Sequence, residues 1–301
     1  MPCLDEKKCI RGNHRKLYTN MKKNDLKISY EKQDIVIIND LIDAFEVGTI
    51  KREESIYKYL DMDTFITCLG MSTLRFSEPT VWKDKFEKRF YLAKYENAKS
   101  TDTPMVFANC FTKSEMSEAA WKIYSYDKNG LAKRCIKLTI NHQLLFDALI
   151  KYANKNCYEL YEGNITYLPQ NTIMKIHHKD NIIGKKLFSS FDLSSYINLL
   201  LIKRDFFRHE NEIRFFLIDK KRTKKDKGKT QKGSINGKYI DINLSWKDII
   251  EEIQISKDCT SNELMLFSNV CSNKGIDTKK IQSVDLYKAP KNPHININKF
   301  L

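Results

Sequence analysis

Short runs in which apolar and polar residues alternate recur along this chain, separated by stretches where apolar residues return at helical spacing. Strict alternation marks a strand, because successive side chains point to opposite faces. Strands are expected over residues 55–60, 72–77, 105–111 and 132–140. Asp61 or Asp63 is placed to cap a helix running to about Leu69, with Gly70 as its stop. Residues 115–124 read as a short helix with Trp121 and Tyr124 on one face. Asn141 is placed to cap a helix from about Gln143 to Ala153. Residues 165–167 and 173–176 read as weak strands, and 194–204 as a helix that is apolar at Ile197, Leu200 and Leu201. The clearest strand is 210–218, and residues 238–244 are its expected hairpin partner. Further strands are expected at 249–255 and 283–287, and Thr260 with Glu263 forms a capping box that opens a helix to about Cys271. Residues 35–38 are a short strand or the start of a helix reaching Phe45. Strands and helices do not alternate strictly, so the pattern predicts an α+β fold with a mixed, mostly antiparallel sheet. Residues 1–33 read as a polar, basic N-terminal extension and 34–301 as a single domain without internal repeats.

Composition agrees with a folded core. Of 301 residues 42% are hydrophobic, and 15 Tyr and 16 Phe set the chain apart from disordered sequences. The net charge of +14 favours polyanionic partners, with nucleic acid first and an anionic membrane surface second. A Lys-rich compositional bias accounts for the same number without any partner. The eight cysteines include no Cys-x-x-Cys pair and no zinc-type spacing with His, so reduced thiols in a cytoplasmic protein are expected. The first residues carry no apolar signal core, and no apolar run approaches the ~20 residues that cross a bilayer.

The residues with chemical potential begin with His209-Glu210-Asn211-Glu212-Ile213-Arg214-Phe215-Phe216-Leu217-Ile218. On a regular strand Glu210, Glu212, Arg214, Phe216 and Ile218 share one face, and Ile213, Phe215 and Leu217 share the other. The two carboxylates then lie about 7 Å apart where the strand enters a buried sheet. Such a pair suits hydrogen bonding to sugar hydroxyls and stabilisation of an oxocarbenium-like transition state, with Arg214 orienting one of them. A solvated strand end with a surface ion pair fits the same letters. Earlier in the chain, Tyr57-Lys58-Tyr59 sets a cation opposite two rings, and Arg75 and Ser77 share a strand face. Cations and ring faces suit a dinucleotide, although ordinary amphipathic strands look the same. No Gly-x-Gly-x-x-Gly, no phosphate-loop motif and no His-Glu-x-x-His occurs, so Rossmann, P-loop and zinc readings are poor and no metal site is expected. Residues 220–232 hold nine charges in 13 positions, eight of them basic. This run, with Lys220, Lys221, Arg222, Lys224, Lys225 and Lys227, is either a hairpin loop that contacts phosphates without reading sequence or a solvated loop.

Six segments, in order, carry a family resemblance: Ile56-Tyr57-Lys58-Tyr59, Leu74-Arg75-Phe76-Ser77-Glu78-Pro79, Trp82-Lys83-Asp84-Lys85-Phe86-Glu87, Cys110-Phe111-Thr112, Trp121 to Tyr124 followed by Gly130, and Lys203 followed by His209 to Arg214. Together they resemble the bacterial family named domain of unknown function 2971. Lys83 and Lys85 stand where that family has Asn and Pro, Trp82 replaces Phe, and Asp84 is retained. The arrangement in turn is similar to that of ADP-ribosyltransferases, which implies NAD as the substrate cofactor. By that resemblance Lys58, flanked by Tyr57 and Tyr59, holds the ribose or phosphate side. Ser77 places the nicotinamide ribose, and Arg75, Asp84, Trp121 and Arg214 complete the NAD cleft. Glu212 stabilises the oxocarbenium, while Glu210 activates the acceptor. The implied protein is a mono-ADP-ribosyltransferase acting as a toxin or phage-defence effector on nucleic acid or protein, with an antitoxin as a possible partner. A non-catalytic nucleic-acid-binding protein using the basic loop, and a Mg²⁺ nuclease using Glu210, Glu212 and Asp84, are the alternatives.

Overall fold

A computed structural model describes residues 52, 54–88, 104–115, 117–126, 129–131, 133–176, 197, 199–223, 234–235, 237–256 and 259–285. The expected extension at 1–33 and the segment 35–45 lie outside the described residues. In chain order the elements are β1 (Ser55–Asp61), α1 (Met62–Met71), β2 (Thr73–Ser77), β3 (Pro104–Thr112), α2 (Glu118–Tyr124), β4 (Cys135–Asn141), α3 (His142–Asn156), β5 (Tyr158–Asn164), β6 (Thr166–Leu168), α4 (Gln170–Ile176), β7 (Ile202–Arg204), β8 (Glu212–Thr223), β9 (Ser234–Ile235), β10 (Tyr239–Asn243), α5 (Trp246–Ile249), β11 (Ile250–Ser256), α6 (Ser261–Asn273) and β12 (Ile281–Val284). The fold is α+β, and all ladders of the main sheet are antiparallel except β11–β12.

The sheet forks at β3. One edge of β3 pairs along its whole length with β8, which pairs in turn with β5. The other edge touches two separate strands, β1 at Tyr57 opposite Thr112 and β2 at Ser77 opposite Ala108. β1 continues into β4, β11 and β12, whereas β2 continues into β10 and β9. Asn109 sits at the fork and ties the wings together: it accepts from Lys58 Nζ at 2.8 Å and donates to the Arg75 carbonyl at 2.6 Å.

Alternation along β8 divides the interior. Ile213, Phe215 and Leu217 join the large core with Phe65, Leu138, Leu149 and Trp246, while Phe216 and Ile218 join a second cluster with Val106, Ile165, Ile197 and Leu201. Helix boundaries follow local chemistry. Asp61 caps α1 by accepting from Thr64 N–H at 2.9 Å, Asn141 caps α3, and Thr260 with Glu263 forms the capping box of α6.

Several expectations are corrected. Gly70 lies inside α1, and Ser72 makes the left-handed stop at φ 52. Residues 173–176 belong to α4, because a short apolar run fits either period. Residues 202–204 form β7, parallel to β6, instead of ending a helix. Residues 238–244 do not pair with β8: β10 is the partner of β2 and β9, since both edges of β8 are already taken by β3 and β5. Finally, Glu210 is not on a strand. It ends a 3-10 turn (Asp205–Glu210), and Asn211 at φ 40 starts the new direction, a conformation Asn tolerates better than most residues.

Candidate functional site

A cleft of about 750 Å³ opens where β1, the end of β3, α2, the 82–87 loop and the turn before β8 meet. Its floor is a buried charge cluster. Arg214, 2% exposed, donates to Glu212 Oε1 at 2.6 Å and Oε2 at 3.1 Å, to Glu87 at 2.6 Å and to the Leu200 carbonyl at 2.7 Å. Lys203 meets Glu210 at 2.5 Å, Glu212 at 3.0 Å and Glu87 at 3.4 Å. Two cations thus face three carboxylates in a place where an unpaired charge would be costly.

Local structure explains the convergence. The left-handed Asn211 lets Glu210 and Glu212 approach Lys203 from two sides, although only Glu212 belongs to the strand. Gly163 on β5 clears space for the adjoining segment, since a Cβ there would lie 2.3 Å from Leu201 Cδ1. That close approach brings the Leu200 carbonyl to Arg214. Asp84 begins a helical turn by accepting from Phe86 N–H at 2.8 Å, and its carboxylate meets Arg204 at 3.3 Å. The turn presents Glu87 to the cluster.

The two acids differ in kind. Burial alone would raise the Glu212 carboxyl, but Arg214 and Lys203 outweigh it and hold the group at about 2. Both oxygens of Glu212 are engaged, so it anchors the cluster. Glu210 has its pKa raised, first by burial, with the Glu212 and Glu87 charges adding and Lys203 opposing. Paired with Lys203 through one oxygen and with a side chain 34% exposed, Glu210 is the carboxylate that faces the cleft. On the opposite wall Lys58 donates to Asn109 and to the Cys110 carbonyl at 2.7 Å, and burial lowers its pKa. Cations lie over several cleft rings: Lys58 over Phe111 at 4.6 Å, Arg204 over Phe86 at 4.4 Å and Arg214 over Trp82 at 4.4 Å. Tyr124 stacks on Tyr59 at 6.4 Å, and burial, the Cys110 thiol and the two carboxylates push its hydroxyl up to about 12.

Of the residues singled out from sequence, Tyr57, Lys58, Tyr59, Asp84, Glu210, Glu212 and Arg214 line this cleft. Trp121 lies behind it, edge-on to Tyr59 at 5.5 Å. Arg75 and Ser77 stand elsewhere. Arg75 makes a two-pronged pair with Asp241 at 2.7 Å on the β2–β10 wing, and Ser77 sits between Ala108 and Tyr239. Lys220, Lys221 and Arg222 belong to the far end of β8, roughly 26 Å from Glu212 at ~3.3 Å per residue. Lys224, Lys225 and Lys227 lie outside the described residues. Among the described residues no group of three His, Cys, Asp or Glu is arranged to hold a metal, and no helix is long and apolar enough to cross a membrane.

Sequence reasoning assigned no role to Lys203, Glu87 or Asn109. For Lys203 a signal was present: it follows the apolar run Leu199-Leu200-Leu201-Ile202 directly, and a cation buried there needs acid partners. No protein-family model, no curated protein and no solved structure matches this chain.

Proposed function

We propose that this protein is an NAD-consuming transferase of the ADP-ribosyltransferase kind, with the cleft as its NAD site, acting as a toxin or defence effector on nucleic acid or protein. The observation that carries this reading is the meeting of Lys58, Glu210 and Glu212, from separate elements, in one aromatic-lined cleft. A volume of about 750 Å³ falls in the range of cofactor-sized pockets. Six cations against four carboxylates in the lining favour a ligand that carries pyrophosphate.

In the reaction the bond between ribose C1′ and the nicotinamide nitrogen breaks, and its electron pair neutralises the pyridinium. Positive charge develops on the ribose, where the carboxylates of the floor lower its energy. A lone pair of the acceptor forms the new bond at C1′, and the proton it loses passes to Glu210. Glu212 holds Lys203 and Arg214 in place for this step, a positioning role instead of the direct one first expected of it, while Glu210 keeps its part in activating the acceptor. Lys58 approaches the ribose. Arg75 and Ser77, outside the lining, take no part.

Purified protein incubated with labelled NAD and a mixture of RNA, DNA and cell protein tests the proposal. Label should enter one acceptor class with wild type, and Glu210→Gln should cut transfer by about 10²–10⁴-fold. No transfer to any of the three removes the reading. Binding of nucleic acid without NAD turnover, lost on deletion of residues 220–232, would mark a non-catalytic binder instead.

A further inference from the structure

Three large aromatic side chains are exposed among the described residues: Tyr124 at 47%, Tyr126 at 56% and Phe206 at 70%. Tyr124 is one of the cleft's lining residues, and the other two lie within two positions of one in sequence. Tyr126 follows Tyr124 two residues later, past the C-cap Ser125 of α2, and Phe206 directly precedes the lining residue Phe207 in the 3-10 turn before β8. Exposed aromatics scattered over a surface need no explanation, but here they sit on two segments that both supply lining residues to one cleft. Ile123, 58% exposed, extends the same rim. Lys83 and Lys85 are exposed on the loop that forms a third side. Rings beside lysines at a cleft mouth are the parts of a single-strand platform: every base offers a ring face for stacking, and the lysines follow the phosphates. A duplex keeps its bases stacked inside and cannot use such rings.

We propose that the rim formed by Tyr124, Tyr126 and Phe206, with Lys83 and Lys85, binds single-stranded nucleic acid and lays an unpaired base across the cleft. The occupant is a single strand because the rim joins ring faces to positive charge, and the chain as a whole carries +14. As the acceptor of the transfer, this strand rests on the reaction proposed above; as a bound ligand it does not. The acceptor atom is then on an unstacked base or its sugar, directly over Glu210.

The test is an anisotropy titration of the full chain, without NAD, against a labelled 16-nucleotide single strand of RNA or DNA and against the duplex of the same sequence. Single strands should bind more tightly than the duplex. Tyr126→Ala and Phe206→Ala, both at exposed positions outside the cleft lining, should each weaken single-strand binding by roughly 5- to 150-fold. Leu266→Ala, an exposed apolar change on α6, should leave it unchanged. Lys83→Ala should reduce the salt slope by about 0.7. Equal affinity for both forms, or unchanged affinity in both aromatic variants whose folding matches wild type by circular dichroism, overturns the proposal. Because this assay contains no NAD, its failure and the failure of the transfer chemistry are read separately.

Discussion

Replacing Arg214 by Met removes the centre of the charge cluster while retaining much of the side-chain volume. Glu87 loses its 2.6 Å partner, and Glu212 keeps Lys203 and the Cys110 thiol but loses its two-pronged guanidinium. Breaking a buried pair by deleting one member costs about 3–5 kcal/mol, because the remaining charge stays buried. Glu212 points the same way, because Arg214 first and Lys203 second lower its carboxyl against the burial that would raise it. Its pKa falls from 4.5 to about 2 on folding, and at 1.36 kcal/mol per unit this corresponds to about 3 kcal/mol. The sign follows from the depressed folded value: the contribution is fully present above about pH 5 and is lost as pH falls from 4.5 towards 2. Urea unfolding followed by tryptophan emission suits the question, since Trp82 stacks on Arg214 at 4.4 Å. At pH 7 the variant should unfold about 1–2 M earlier for a slope near 2–3 kcal/mol/M. The gap should narrow between pH 5 and pH 3 as the wild type loses its own advantage. A difference below about 1 kcal/mol at pH 7, or a larger gap that persists unchanged to pH 3, would refute this account of the cluster.

Two further predictions concern backbone geometry near the site. Ser72→Gly should stabilise the protein by about 0.5–1 kcal/mol, because Ser72 holds φ 52 at the end of α1 without the freedom of glycine; thermal unfolding measures it, and a lower midpoint would count against it. Gly163→Ala should destabilise by about 1–3 kcal/mol, because the added methyl meets buried Leu201 and presses on the segment that supplies the Leu200 carbonyl to Arg214; an unchanged urea midpoint would show that this approach is not tight.

Much of β8 was legible from its letters. Alternation alone separates Ile213, Phe215 and Leu217 from Phe216 and Ile218, and the two sets do enter different cores. Caps at Asp61, Asn141 and Thr260 were legible as well, because capping is a contact within four residues. What escaped was non-local. β5, Tyr-Glu-Leu-Tyr-Glu-Gly-Asn, has no β-branched residue and is a strand because β8 offers it a free edge. Nothing near Lys238–Leu244 says that β2 rather than β8 will be its neighbour. The same holds for the site. Glu210 and Glu212 were visible as a pair, but the kink at Asn211 and the hub at Lys203 exist only once β7 and the 82–87 loop have closed on β8. Ser77 and Arg75 failed to join the cleft for the converse reason: the fork at β3 carries β2 away from β1.

The central claim is the proposal that the cleft breaks the nicotinamide–ribose bond of NAD with Glu210 facing into it from the floor. Nicotinamide release from NAD, compared at pH 7 between the full wild-type chain and Glu210→Gln, tests it most directly. The account predicts measurable release by wild type, increasing as pH rises through the raised pKa of Glu210, and a loss of at least about 10²-fold in the variant. Absence of release by wild type, or equal release by both proteins, would contradict it.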